Sequence, residues 1–160
     1  MTKVIMHGCN GKMGRFITDL ISQEKDMELV AGVDTYDGIP NTYPVYASIN
    51  EVKEDADVVI DFSNASAVDG LLEWCAGTNT PCVLCSTGLS REQLEKVQET
   101  SRQVAILKSA NMSLGINTLL KLLKEAAAVL APAGFDIEIV EKHHNQKLDA
   151  PSGTAIALAD

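Results

Sequence analysis

A doubly wound α/β fold built on a parallel sheet is what this sequence predicts, on three observations. Short apolar runs alternate with helical patterns along most of the 160-residue chain. The runs are apolar at nearly every position, as strands covered by helices on both faces should be. A turn with glycines spaced by three, Gly8-Cys9-Asn10-Gly11-Lys12-Met13-Gly14, stands between the first run and the first helix pattern. That setting is the one in which a Rossmann-type nucleotide-binding turn occurs.

Lys3-Val4-Ile5-Met6-His7 predicts the first strand, stopped by Gly8, and Phe16, Ile17, Leu20 and Ile21 give helical spacing from Gly14 to Ser22. Met27 to Val33 predicts the second strand and completes a βαβ unit. The polar, proline-containing stretch from Thr35 to Ala47 reads as loop. Val58-Val59-Ile60-Asp61-Phe62 and Pro81-Cys82-Val83-Leu84-Cys85 predict two more strands, with a helix from about Ser66 to Ala76 between them. Ser90 followed by Gln93 has the pattern of a capping box, opening the helix that carries Leu94 and Val97. Val104-Ala105-Ile106-Leu107 predicts the next strand.

A long helix is expected over Leu114 to Leu130, closed by Pro132 and Gly134. Phe135-Asp136-Ile137-Glu138-Ile139-Val140 then alternates as a strand does, and Pro151-Ser152-Gly153-Thr154 offers a helix start. The expected organisation is a dinucleotide-binding domain over 1–112. Residues 113–160 are read as a linking helix and the first, incomplete part of an α+β substrate-binding domain.

A net charge of −9 argues against a nucleic-acid partner, which would require a clustered basic surface. No apolar stretch approaches a bilayer span, and Met1-Thr2-Lys3 leads into a strand rather than a signal-peptide core. A cytoplasmic protein without a membrane partner is the expectation. Among Cys9, Cys75, Cys82 and Cys85, the Cys82–Cys85 spacing fits a redox pair, and a disulfide or zinc site is one reading. On a strand, however, positions three apart face opposite sides of the sheet, which favours buried, reduced thiols.

The glycine turn carries the clearest chemistry. Its first glycine permits a tight turn, its second lets a pyrophosphate approach the backbone, and its third allows close helix packing. A simple strand-to-helix turn is the alternative. Asp34, at the end of the second strand, stands where a carboxylate would bind the adenosine ribose hydroxyls of NAD and disfavour a 2′-phosphate. Lys12 and Arg15 could instead receive such a phosphate, so the reading is NADH or NADPH with a lean to NADH. Ser86-Thr87-Gly88 and Ser109-Ala110-Asn111-Met112-Ser113 place polar residues on the carboxyl edge of the sheet, as ligand contacts or merely as a turn and a helix cap.

His143-His144-Asn145-Gln146-Lys147-Leu148-Asp149-Ala150-Pro151-Ser152-Gly153-Thr154 concentrates proton donors beside a helix start. In one reading a histidine and Lys147 donate a proton next to a substrate whose carboxylates sit on the Gly153 and Thr154 N–H groups. In a second, His143, His144, Asp149 and Glu141 bind zinc, although adjacent histidines on an extended chain point apart. A solvated polar loop is the third.

Taken together, these motifs resemble the dihydrodipicolinate reductase family, also described as 4-hydroxy-tetrahydrodipicolinate reductase, of diaminopimelate and lysine biosynthesis. The likeness runs the whole length of the chain. Its most specific part is Glu141-Lys142-His143-His144 through Lys147 to Asp149-Ala150-Pro151-Ser152-Gly153-Thr154-Ala155, with the glycine turn, Asp61-Phe62-Ser63, Ser86-Thr87-Gly88 and Ala110-Asn111-Met112-Ser113 in matching order.

The resemblance implies an oxidoreductase that transfers hydride from NADH or NADPH to a cyclic dicarboxylate, yielding tetrahydrodipicolinate. It implies His143 as proton donor or acceptor and Lys147 as second proton donor. His144, Gly153 and Thr154 would hold the substrate carboxylates. Gly8, Cys9, Asn10, Gly11, Lys12, Met13, Asp34, Cys85, Ser86, Thr87, Ser109, Ala110, Asn111 and Met112 would line the cofactor, with no metal. The full-length protein would be a homotetramer.

The sequence departs from the family's pattern in three ways. Cys85 stands where many members have glycine, and Asn145 and Gln146 where some carry basic residues. Members also continue well beyond the equivalent of Asp160, so the alternative expectation is an NADH-binding module without turnover.

Overall fold

The computed structural model describes residues 1–143, 145 and 150–159. The chain divides into two units, Met1–Ser109 and Ala110–Asp160. The first carries the sheet. Its strands are β1 (Thr2–His7), β2 (Met27–Val33), β3 (Val45–Tyr46), β4 (Val58–Asp61), β5 (Cys82–Leu84) and β6 (Ile106–Lys108). Its helices are α1 (Lys12–Ile21), α2 (Ala65–Thr78) and α3 (Arg91–Thr100).

The six strands lie in the order β3-β2-β1-β4-β5-β6, all parallel. The chain therefore runs outward from β1 in one direction, returns, and runs outward in the other from β4. The gap between the carboxyl ends of β1 and β4 is the switch point at which doubly wound sheets bind ligands.

Apolar burial drives this arrangement. Val4, Ile5, Met6, Val59, Val68, Leu71, Leu72, Cys75 and Leu84 are fully buried. Ile5, Ala31, Val33 and Val59 from the central strands pack with Val68, Leu71, Leu72 and Cys75 from α2 and with Val97 from α3. Across the sheet, Met6, Cys9 and Tyr43 form a smaller cluster joined by Ile17 of α1. Of the α1 residues in the expected apolar stripe, Ile21 is buried and Ile17 packs on that cluster, whereas Phe16 and Leu20 remain exposed.

Local hydrogen bonds and backbone conformation set the ends of α2 and the start of α3. Ser90 Oγ accepts the Gln93 N–H while the Gln93 side chain accepts the Ser90 N–H, so the capping box is formed. Asn64 Oδ1 caps α2 by accepting from the Ser66 N–H at 3.0 Å. At its other end Asn79 takes the left-handed conformation, φ 55°, that closes a helix.

Two sequence expectations change. The stretch from Thr35 to Ala47 is not all loop, since Val45 and Tyr46 pair with Gly32 and Val33 as β3. The strand expected over residues 135–140 is not formed. Phe135, Ile137, Ile139 and Val140 are instead exposed. Alternation supplies a face to bury, but a strand also needs a neighbour to receive its hydrogen bonds.

Among its described residues the second unit holds α4 (Leu114–Leu130), a 3-10 turn at Ala131–Ala133, a stretch without regular structure after Gly134, and α5 (Gly153–Ala159). Ser113 Oγ caps α4 by accepting the Ile116 N–H at 3.4 Å. Gly134, with φ 87°, turns the chain away behind it.

Candidate functional site

The glycine turn leaves no room for a side chain at Gly8 or Gly14. Gly8 has φ +81°, and a Cβ on it would lie 2.7 Å from the Phe62 carbonyl oxygen and 2.8 Å from the Ser63 nitrogen. The turn after β1 is thus packed directly on the turn after β4. A Cβ on Gly14 would collide with the Gly8 carbonyl oxygen and lie 2.8 Å from the Cys9 carbonyl carbon, so α1 sits against the turn only because it begins without a side chain there. Gly11, by contrast, is exposed and would meet only the Gly8 oxygen, at 3.3 Å. A bare backbone therefore faces outward at the switch point, as a pyrophosphate requires.

Asp34 ties this turn to the loop after β2. One of its oxygens accepts the Asn10 N–H at 2.9 Å, and the other accepts the Tyr36 N–H at 3.0 Å. The Asn10 side-chain amide donates to the Tyr36 carbonyl, and Asn41 donates to Asn10 Oδ1 at 2.9 Å. Each Asp34 oxygen accepts one of these bonds and has capacity for another. Beside this clasp, an open groove of about 820 Å³ runs between α1 and residues 39–42. Lys12, Met13 and Arg15 line it, so both cations weighed for a 2′-phosphate lie on one wall.

A second carboxylate, which spacing did not single out, lies under the same edge. Asp61 is fully buried, and His7 and Ser86 are each 5% exposed. The Asp61 Oδ1 atom takes hydrogen bonds from His7 Nδ1 at 2.7 Å, from Ser63 Oγ at 2.6 Å and from the Ser63 N–H at 3.2 Å. Ser86 Oγ donates to Oδ2 at 2.6 Å. Burial pushes the Asp61 carboxyl up, but the bonds from His7, Ser63 and Ser86 outweigh it and hold the group below its ordinary value.

Of the other residues expected around a cofactor, Cys9 and Cys85 are buried and Thr87 is exposed. Burial first, then the charge of Asp34, pushes the Cys9 thiol up to about 11. Burial and then Asp61 do the same for Cys85, to about 11. Hydrogen bonding with Cys75 and then burial raise Cys82 further. All four cysteines are buried and free. Ser109 ends the first unit, its N–H donating to the Leu84 carbonyl at 3.0 Å.

Ala110, Asn111 and Met112 begin the second unit. There the Asn111 amide donates to Thr154 Oγ1 at 3.1 Å and its Oδ1 accepts the Ser113 N–H at 2.8 Å. Glu141 accepts from the Ser152 N–H at 2.9 Å and from Ser152 Oγ at 2.6 Å, and lies 3.5 Å from His143 Nδ1. Ser152 Oγ in turn accepts the Ala155 N–H at 3.0 Å, capping α5. Glu141 thus braces both the helix start carrying Gly153 and Thr154 and the imidazole of His143. His144, Lys147 and Asp149 lie outside the described residues. Among the described residues no group of three or more His, Cys, Asp or Glu could hold a metal ion. Nor is any helix among them long and apolar enough to cross a membrane.

The sheet order and the bare glycine turn at its switch point place the chain in the Rossmann-type α/β class. Within that class the chain belongs to the dihydrodipicolinate reductase family. The family's model for the dihydrodipicolinate reductase N-terminus matches residues 2–112, and its model for the C-terminus matches residues 115–160.

A 4-hydroxy-tetrahydrodipicolinate reductase of Caldanaerobacter subterraneus subsp. tengcongensis is 54% identical over 160 residues, covering 100% of this chain and 62% of the relative. One of Clostridium novyi is 48% identical, covering 100% of this chain and 63% of the relative. Among solved structures, a dipicolinate-bound dihydrodipicolinate reductase from Paenisporosarcina sp. TG-14 has a TM-score of 0.80 at 31% identity, covering 99% of this chain and 64% of that one. The WlbA dehydrogenase of Bordetella pertussis has a TM-score of 0.59 at 17% identity, covering 79% of this chain and 40% of that one, a likeness of fold alone. The chain spans under two thirds of the length of the relatives it matches.

Proposed function

We propose that this chain belongs to an NAD(P)H-dependent oxidoreductase that reduces 4-hydroxy-tetrahydrodipicolinate, or dihydrodipicolinate, to tetrahydrodipicolinate in diaminopimelate and lysine biosynthesis. The observation that carries the reading is the tight glycine turn at Gly8–Gly14 on the switch point of the parallel sheet, where a Cβ on Gly8 or Gly14 would strike neighbouring backbone and the exposed Gly11 leaves bare main chain for a pyridine dinucleotide's pyrophosphate. Family membership and the relatives' names support the substrate. The dipicolinate held by the Paenisporosarcina protein is a dicarboxylate of the kind the segment around Gly153 suits.

In this reading Gly8 to Met13 hold the pyrophosphate, and Asp34 accepts from the adenosine ribose hydroxyls with the lone pairs its two backbone partners leave. Its carboxylate would repel a 2′-phosphate, while Lys12 and Arg15 on the groove wall would attract one. The lean remains toward NADH. Cys85 to Thr87 and Ser109 to Met112 line the remainder of the cofactor. A bound, reduced pyridine nucleotide supplies the hydride.

The proton side of the reaction falls to His143 and Lys147, with His144, Gly153 and Thr154 on the substrate carboxylates. Glu141 supports this reading by orienting the His143 ring from 3.5 Å. Oxidation of NADH in the presence of substrate, followed for the unaltered protein and for Lys147→Ala, tests it. The variant is expected to lose turnover far more than NADH affinity. Equal losses in both would remove Lys147 as a proton donor, and no substrate-dependent oxidation by the unaltered protein would remove the enzyme reading.

A further inference from the structure

A carboxylate buried completely is costly unless donors surround it. Asp61 has four, contributed by His7 at the end of β1, by the N–H and hydroxyl of Ser63 just after β4, and by Ser86 just after β5. The main chain repeats the pattern, since the Phe62 N–H donates to the His7 carbonyl and the Cys85 N–H to the Asp61 carbonyl, each at 2.9 Å. Three strand ends are thereby pinned to one side chain. The Ser63 and Ser86 hydroxyl protons both point inward to Asp61, 2.6 Å away in each case, which leaves lone pairs rather than protons for anything outside.

The place of this knot within the sheet gives it a function. Asp34 stands on the β2 side of the switch point and the glycine turn in the middle. A dinucleotide laid across the carboxyl edge with its adenosine at Asp34 and its pyrophosphate on the turn must put its other half over β4 and β5. That half covers the turns pinned by Asp61. We propose that Asp61 is a positioning residue for the nicotinamide end of the cofactor, acting with His7 to fix the turns at Ser63 and Cys85-Ser86 on which that end rests. The proposal rests on the dinucleotide reading above.

Asp61→Asn keeps the shape but gives one side of the group donors in place of an acceptor. Either Ser86 or the His7–Ser63 side then faces a donor, and a hydroxyl proton must turn outward. The test is the affinity of the 160-residue chain for NADH and for ADP-ribose, which lacks only the nicotinamide. Asp61→Asn is expected to weaken NADH about tenfold, the scale of one lost hydrogen bond to a charged group. ADP-ribose should hold within roughly twofold on the same scale. A purely structural role would weaken both ligands alike, and that result, or an unchanged NADH affinity in the folded variant, overturns the proposal.

Should Asp61→Asn fail to fold, Ser63→Ala removes one donor from an only half-buried site. It should still weaken NADH more than ADP-ribose, and the absence of a split overturns the proposal. Binding of neither ligand by the unaltered chain would instead bring down the dinucleotide reading, and this inference with it.

Discussion

Replacing Gly8 by alanine puts a methyl group into the tightest point of the fold. The new Cβ would lie 2.7 Å from the Phe62 oxygen, 2.8 Å from the Phe62 carbon and 2.8 Å from the Ser63 nitrogen. All three are backbone atoms, so no side chain can swing away to relieve the contact. At φ +81° an L-residue also carries a conformational penalty of about 1–2 kcal/mol. Overpacking adds about 1–3 kcal/mol. The sum, roughly 2–5 kcal/mol, corresponds to a fall in Tm of about 5–15 °C for a chain of this size.

Gly70 is the internal control. It lies inside α2 with nothing within 4 Å of its would-be Cβ, so Gly70→Ala should gain about 0.5–1 kcal/mol from helix propensity. Thermal unfolding followed by circular dichroism reads both. The same alanine substitution is predicted to lower Tm at one glycine and raise it at the other. A Gly8→Ala variant that melts with the parent chain would refute the claim that the turns after β1 and β4 are in backbone contact.

Further expectations follow from the carboxylates and thiols. Asp61 is held below its ordinary value of 3.8, so its contribution to stability is complete above that pH and is lost as pH falls through the lower folded value. Urea midpoints measured against pH should show an acid limb that Asp61→Asn flattens, and an unchanged limb would place the acid sensitivity elsewhere. Cys9 and Cys85 are raised to about 11 and all four cysteines are buried. An aromatic disulfide reagent at neutral pH should find essentially no reactive thiol until the chain is unfolded, and rapid modification of the native protein would contradict this. Asp34→Ala should weaken NADH more than NADPH in paired titrations, and an unchanged ratio would take Asp34 out of cofactor choice.

The sheet was legible because strands covered on both faces announce themselves as apolar runs. Met27–Val33 and Leu114–Leu130 coincide with the expected elements to the residue. β3 was missed because Val45 and Tyr46 alone are too short to show a period, and only their pairing with Gly32 and Val33 makes them a strand. The stretch at 135–140 misled for the opposite reason, since its alternation is a local property while strand formation is not.

At the site, the glycine turn and Asp34 could be read from spacing because their partners lie close in sequence or at a strand end. The His7–Asp61 pair could not, since its members are 54 residues apart and meet only through the β1–β4 register. Its sequence traces are a charged residue closing an otherwise apolar strand, where burial demands a partner, and the place of Asp61-Phe62-Ser63 among the motifs of the resemblance, which assigned it no role. Glu141 was weighed as a metal ligand, and the structure gives it hydrogen bonds to Ser152 instead.

The central claim, that the carboxyl edge of this sheet holds a pyridine dinucleotide, is open to one direct measurement. The chain has a single tryptophan, Trp74. Titration with NADH while exciting Trp74 should give energy transfer to the reduced nicotinamide that saturates at one equivalent per chain and is reversed by ADP-ribose. A folded chain whose signal neither saturates nor yields to ADP-ribose would contradict the account.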